Sequence, residues 1–209
     1  MHVLPHGNFH DFYPNDVNKE DARKQLGIPT ASKAILFIGK IHLYKGVLEL
    51  IDAFVEINQT DTILVIAGQL REQDPLEEIN HRLADRSNII FLPGFIEDDR
   101  LQIFLNASDL VALPYRDILT SGTAYLAMAF AKPVLIPNIG CIPETLDENG
   151  AFFFDPTNPI GLEKALRKAL TDSGSWSEKG LYNYKLGQTW GWSKVARDTL
   201  SIYRGALRS

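Results

Sequence analysis

Ala34-Ile35-Leu36-Phe37-Ile38-Gly39-Lys40-Ile41-His42-Leu43-Tyr44-Lys45-Gly46 is an apolar, β-branched run that stops at a glycine and passes into a loop with two lysines. Directly after it, Val47, Leu50, Ile51, Phe54 and Val55 recur at the spacing of one helix face. The reading is strand, loop, helix, and it repeats down the chain. Residues 63–67 form a second apolar run closed by Gly68, and Leu76, Ile79 and Leu83 mark a helix with Pro75 suited to its first turn. Residues 89–92, 110–113, 134–136 and 151–154 read as further strands. Helices are predicted over 98–106, 122–130 and 160–170, with a short helical turn after Pro143.

Strands that are apolar throughout, rather than alternating, belong to a sheet covered on both faces. With helices between them and right-handed crossovers, the predicted architecture is α/β, a doubly wound parallel sheet of Rossmann-like type. Its usual strand order is 3-2-1-4-5-6, and ligands bind where that order reverses, outside the ends of strands 1 and 4. Those ends are the loops 39–46 and 114–123. The division expected is an interdomain approach segment over 1–33, the Rossmann-like domain over 34–175, and extra C-terminal helices over 176–209. A short helix, 19–26, closed by Gly27, is predicted within the first of these.

The two loops carry matching chemistry. Lys40 and Lys45 can neutralise phosphate oxygens, while Gly39 and Gly46 let backbone come close. Thr120-Ser121-Gly122-Thr123 opens a helix whose first N–H groups lack intrahelical acceptors and whose dipole favours an anion. Ser121 also suits a plain N-cap, and the two roles are compatible. His42 and His6 invite an acid–base reading, but no carboxylate is patterned to orient either, and packed or surface histidines fit as well. Glu144 suits the first turn of the helix after Gly140. No His, Asp and Glu set has metal-ligand spacing, and no nucleophile–base pair is legible, so no catalytic residue is assigned. The glycine fingerprint of dinucleotide folds and the Gly-Lys-Ser/Thr of a P-loop are both missing.

The 209 residues are 45% hydrophobic and 22% charged, which excludes a disordered or collagen-like chain. A net charge of −5 gives no general attraction to nucleic acid, so any anion site is local. The single cysteine, Cys141, excludes a disulfide framework and suits a reducing compartment. No basic stretch leads into an apolar run at residues 1–7, and none approaches the ~20 apolar residues needed to span a bilayer. A cytoplasmic location is expected.

Phe37-Ile38-Gly39-Lys40, Tyr44-Lys45-Gly46 and Leu50-Ile51-Asp52-Ala53-Phe54 resemble the start of the donor-binding domain of GT-B glycosyltransferases. The likeness is greatest to the retaining family that includes sucrose and glycogen synthases. It continues through Leu64-Val65-Ile66-Ala67-Gly68, Asn88 to Phe95, Ala107 to Pro114, Ala127 to Val134 and Gly140-Cys141-Ile142-Pro143-Glu144, and Trp192-Ser193-Lys194-Val195-Ala196 resembles the closing helix. The resemblance implies a UDP- or GDP-sugar donor, with sugar passed to an acceptor hydroxyl in polysaccharide or glycolipid synthesis. It implies diphosphate binding by Lys40 and Lys45, which the reading of the two loops extends to Gly39, Ser121, Gly122 and Thr123, and it sets Gly94 and Phe95 near the donor base, with Tyr115 and Arg116 the nearest polar candidates in sequence for the sugar pocket. No metal and no cofactor are expected. An amino-terminal acceptor-binding domain is the implied partner, this chain resembling the carboxy-terminal half alone, and the full enzyme could associate peripherally with membrane.

The family pattern has two glutamates around the start of the helix at 122, for the donor sugar and ribose. The matching residues here are Ile118 and Leu126, so the chain resembles a divergent branch. An alternative expectation is therefore a non-catalytic, degenerate domain acting as a binding or interaction module. A nicotinamide-dependent oxidoreductase is disfavoured by the missing glycine fingerprint.

Overall fold

A computed structural model describes residues 4, 6–70, 75–84 and 86–207. The ends of the approach segment and of the C-terminal helices, residues 1–3, 5 and 208–209, lie outside the described residues. Strands β1 (Lys33–Ile38), β2 (Thr62–Gly68), β3 (Ile89–Pro93), β4 (Leu110–Ala112), β5 (Val134–Pro137) and β6 (Ala151–Phe154) form one sheet in the order 3-2-1-4-5-6. Every pairing is parallel. Helices α1 (Lys19–Leu26), α2 (Val47–Ile57), α3 (Leu76–Leu83), α4 (Leu101–Ala107), α5 (Gly122–Ala129), α6 (Ile142–Thr145), α7 (Gly161–Thr171), α8 (Trp176–Gln188) and α9 (Trp192–Ala206) complete the chain. The predicted doubly wound α/β architecture is the one observed.

The period of two along a strand explains the two cores. Ala34, Leu36 and Ile38 of β1 join Val65, Val111, Val134 and the inner faces of α4 and α5 on one side. Ile35 and Phe37 join Leu64, Ile66, Leu135 and the inner faces of α2 and α7 on the other. On the central strands neither face meets water, which is why they carry no polar alternation.

Local signals set most boundaries. Asn18 accepts the Asp21 N–H and caps α1, and Gly27, at φ 69°, ends it. The helix expected over 98–106 is a 3-10 turn, Asp98–Arg100, leading into α4. The short turn expected after Pro143 begins one residue earlier, at Ile142, with Pro143 in its first turn, where a missing N–H costs nothing. Outside the sheet, α1 packs on α4 and α8 on α5. The Asn8 N–H donates to the Trp190 carbonyl, joining the two ends of the chain. Among the described residues no helix is long and apolar enough to cross a membrane.

Candidate functional site

At the end of β1 the chain turns at Gly39, whose φ is 126°. The Gly39 and Ile41 N–H groups donate to the Ala67 and Gln69 carbonyls, holding the loop to the end of β2. A 3-10 turn, Leu43–Lys45, follows, and Gly46, at φ 69°, starts α2. A Cβ at Gly46 would collide with the Pro114 carbonyl oxygen, so glycine lets this loop touch the one after β4. The Arg116 N–H donates to the Tyr44 carbonyl at 2.9 Å and ties the same two loops together.

That junction brings Lys45 and Thr123 to one place. A Cβ built on Gly39 would lie 3.5 Å from Lys45 Nζ and 3.7 Å from Thr123 Oγ1, so both side chains border the open space above the glycine. Lys45 Nζ stands 5.5 Å from the centre of the Tyr115 ring, a cation–π distance. Tyr115 is 2% exposed, and its hydroxyl lies 3.0 Å from Ser121 Oγ. Ser121 Oγ also accepts the Ala124 N–H at 3.2 Å and so caps α5. The Gly122 and Thr123 N–H groups, at the first two positions of α5, have no acceptor among the described residues, as the geometry of a helix start requires.

The electrostatics favour an anion. Burial lowers the Lys45 pKa, and the neighbouring Lys40 ammonium lowers it further. Among the described residues no carboxylate pairs with Lys40 or Lys45. Burial raises the Tyr115 pKa, opposed by the Ser121 and Thr123 hydroxyls, so the phenol is a neutral hydrogen-bonding support. No group of three or more His, Cys, Asp and Glu side chains among the described residues is placed to hold a metal ion.

Other expected residues stand apart from this cradle. The Arg116 guanidinium pairs with Glu49 of α2, in a cleft of about 560 Å³ between α2 and α7 that Asp52, Glu56 and Glu163 also line. Gly94 and Phe95 follow β3, two strands away from β1, and line a hollow of about 340 Å³ with Leu26 and Arg100. Phe95 is 68% exposed there, and the Gly94 N–H donates to the Gly68 carbonyl. Leu126 is buried in the core, and Ile118 is half-buried against the same cluster. His6 packs among the rings of Phe9, Tyr125 and Trp192, and His42 lies beside Tyr44. Glu144 is an exposed first-turn carboxylate of α6.

Two partners were not legible beforehand. Glu49 carries no motif that announces its pairing with Arg116. The support given by Tyr115 depends on burial that no local pattern encodes, although an aromatic hydroxyl just after strand 4 was a visible signal.

Residues 18–185 match the family described as glycosyl transferases group 1. An uncharacterised glycosyltransferase of Methanocaldococcus jannaschii is 29% identical over 194 residues, which is 90% of this chain and 49% of that protein. The D-inositol 3-phosphate glycosyltransferase of Xylanimonas cellulosilytica is 27% identical over 220 residues, covering 100% of this chain and 52% of its own. The chain thus spans about half the length of both relatives. Among solved structures, Anabaena HepE in complex with UDP and glucose superposes with a TM-score of 0.82 at 17% identity, over 97% of this chain and 56% of that one. At that identity the likeness concerns the fold.

Proposed function

The chain belongs to the group 1 glycosyl transferases, and from that premise we propose that its switch-point cleft binds the diphosphate of a nucleotide-sugar donor. The observation that carries this reading is the convergence of Lys45 Nζ and the Thr123 hydroxyl on the open side of Gly39, where a doubly wound sheet places its ligand. Lys40, Lys45 and the Gly122 and Thr123 N–H groups stabilise charge that grows on the departing diphosphate, a role that needs no metal ion. The acceptor is held by a second domain, in keeping with relatives about twice as long, and the product is a glycolipid or polysaccharide. HepE, whose fold this chain shares, is solved in complex with UDP and glucose, and that supports a nucleotide ligand.

Calorimetric titration with UDP, GDP and ADP and their sugar conjugates tests the proposal and selects the base. Saturable binding of one nucleoside diphosphate is expected, and absence of binding by all of them would sink it. A second reading, a non-catalytic binding module, is favoured by Ile118 and Leu126, which offer no acceptor to sugar or ribose hydroxyls. Saturable binding of an oligosaccharide with no nucleotide binding would select that reading instead.

A further inference from the structure

A further cleft, of about 580 Å³, opens at the opposite ends of the strands, where the chain enters the sheet. It is bordered by the residues that enter three strands: Lys33 opens β1, Asp109 precedes β4 and Lys132 precedes β5. The length of β1, at about 3.3 Å per residue, separates this end from the diphosphate cradle by roughly 20 Å. A nucleoside diphosphate bound at one end does not reach the other.

Four cationic side chains, Lys19, Arg23, Lys33 and Lys132, border the cleft against one lining carboxylate, Asp109. On a chain of net charge −5 this is a local reversal of sign. Two of the charged groups are already committed to the fold. The Arg23 side chain is 4% exposed and donates to the carbonyls of Ala107, Thr30 and Ser32 and to Asp109. Asp109 accepts from Lys19 on one oxygen, and from Arg23 and the Ala34 N–H on the other.

Lys132 is placed differently. Its Nζ donates to the Ser108 carbonyl at 2.9 Å, and no carboxylate bonds it among the described residues. Burial brings its pKa down to about 8; Lys19 and Arg23 push the same way, against the attraction of Asp109. An ammonium has three donors, and burying it with one acceptor is costly. Lys19 and Lys33 stand nearer the solvent, with side chains 55% and 30% exposed, and Lys33 is also paired with Asp61. Thr30, Ser32, Ser173 and Ser177, each with a hydroxyl, are also among the lining residues. The first residues of α8 lie at the rim, bringing the positive end of its dipole.

We propose that this cleft binds a small multivalent anion of the phosphate class, with Lys132 in its wall, Lys19 and Lys33 at its mouth and the surrounding hydroxyls as further donors. A dianion supplies the acceptors and the charge that Lys132 lacks, which the already shared Asp109 does not. The site is separate from the nucleotide cleft, and its standing does not depend on the function proposed above.

Amine acylation followed by mass spectrometry, on the 209-residue chain at pH 7.5, reads the site directly. Inorganic phosphate should slow acylation of Lys132 roughly tenfold and saturably, because each unit of raised pKa cuts the neutral, reactive amine by that factor. The same protection is expected in Lys45→Ala, which removes the nucleotide cleft as its source. Lys132→Met should abolish phosphate protection of Lys19 and Lys33, with a thermal melt confirming that the variant is folded. Vesicles containing phosphatidic acid form a second arm. Stronger protection by vesicles than by free phosphate assigns the anion to a lipid headgroup, and the reverse assigns it to solution. Protection matched by chloride at equal ionic strength, or needing hundreds of millimolar phosphate, would mean an adventitious ion only and overturn the proposal. So would no protection in either arm.

Discussion

Lys45 sits where water is scarce and a second ammonium is close, and both lower its pKa. An arriving diphosphate reverses that shift. Affinity should therefore fall as pH rises through the lowered value of the free protein, earlier than for an ordinary lysine at ~10.4. Lys45→Ala should weaken nucleoside diphosphate binding by about 1.5–3 kcal/mol, the range of a charge-assisted hydrogen bond, while the melting temperature stays nearly constant. Calorimetry and a thermal melt decide it, and unchanged affinity would remove Lys45 from the site. Lys132 makes the complementary case for stability. Its pKa is 10.5 in the unfolded chain and about 8 in the folded one. Between those values the unfolded chain holds a proton that the folded chain has lost, so stability rises with pH across that window. Below pH 8 the cost of the buried charge is fully present. Lys132→Met should therefore be stabilised relative to the native chain at pH 7, and that advantage should shrink by about 3 kcal/mol by pH 10.5. Denaturant melts at both pH values test this, and a constant difference would show that Lys132 is not desolvated.

At the scale of elements, contacts at single glycines decide how loops and helices meet. Gly46 combines a left-handed φ with contact against Pro114, at the start of α2. Gly46→Ala meets both obstacles, so it should cost about 2 kcal/mol or more and weaken nucleotide binding as well. That pairing distinguishes it from Lys45→Ala, and a variant with native stability and native affinity would contradict the described junction. Helix α8 is pinned in a similar way. Gly180 lets it approach the Ala131 carbonyl, and the fully buried Asn183 donates to the Lys132 and Gly150 carbonyls at 2.9 and 2.8 Å. Asn183→Ala takes a donor from the Lys132 carbonyl, leaves the Gly150 carbonyl with the Val134 N–H alone, and should cost about 1–3 kcal/mol. Faster hydrogen exchange in α8 than in the strands would locate the loss, and unaltered melting would refute it. The strands themselves were legible to within a residue or two, because an uninterrupted apolar run bounded by glycine has few other folds to adopt. The 3-10 entry to α4 was not, since Asp98 to Arg100 carries no signal separating the two kinds of turn.

Taken whole, the molecule carries negative charge yet gathers lysines at both ends of the central strands. The switch-point end of the sheet has no carboxylate at positions 118 and 126, where Ile118 is half-buried and Leu126 lies in the core. A site without a polar partner for a hydroxyl does not reject an analogue that lacks it. The 209-residue chain should therefore bind a nucleoside diphosphate about as tightly as its sugar conjugate, and distinguish poorly between epimeric sugars. Competition titrations check this. Strong preference for one conjugate would direct attention to Arg116, released from Glu49, as the reader of the sugar.

The sequence by itself determined the alternation of strand and helix, the two-faced burial of the sheet, and hence the strand order and the strand ends at which a doubly wound sheet takes a ligand. These follow from run length, period and glycine position, which are properties of neighbouring residues. It also placed Gly39, Lys45, Ser121 and Thr123 at the switch point, because loop position in a doubly wound sheet is a matter of topology. Only the tertiary structure decided which side chains meet there. It put Lys45 against the Tyr115 ring and beside Thr123, gave Arg116 to Glu49, and set Lys132 in the wall of another cleft. Those outcomes turn on burial and on competition for partners among residues far apart in the chain, and both exist only once the strands lie side by side.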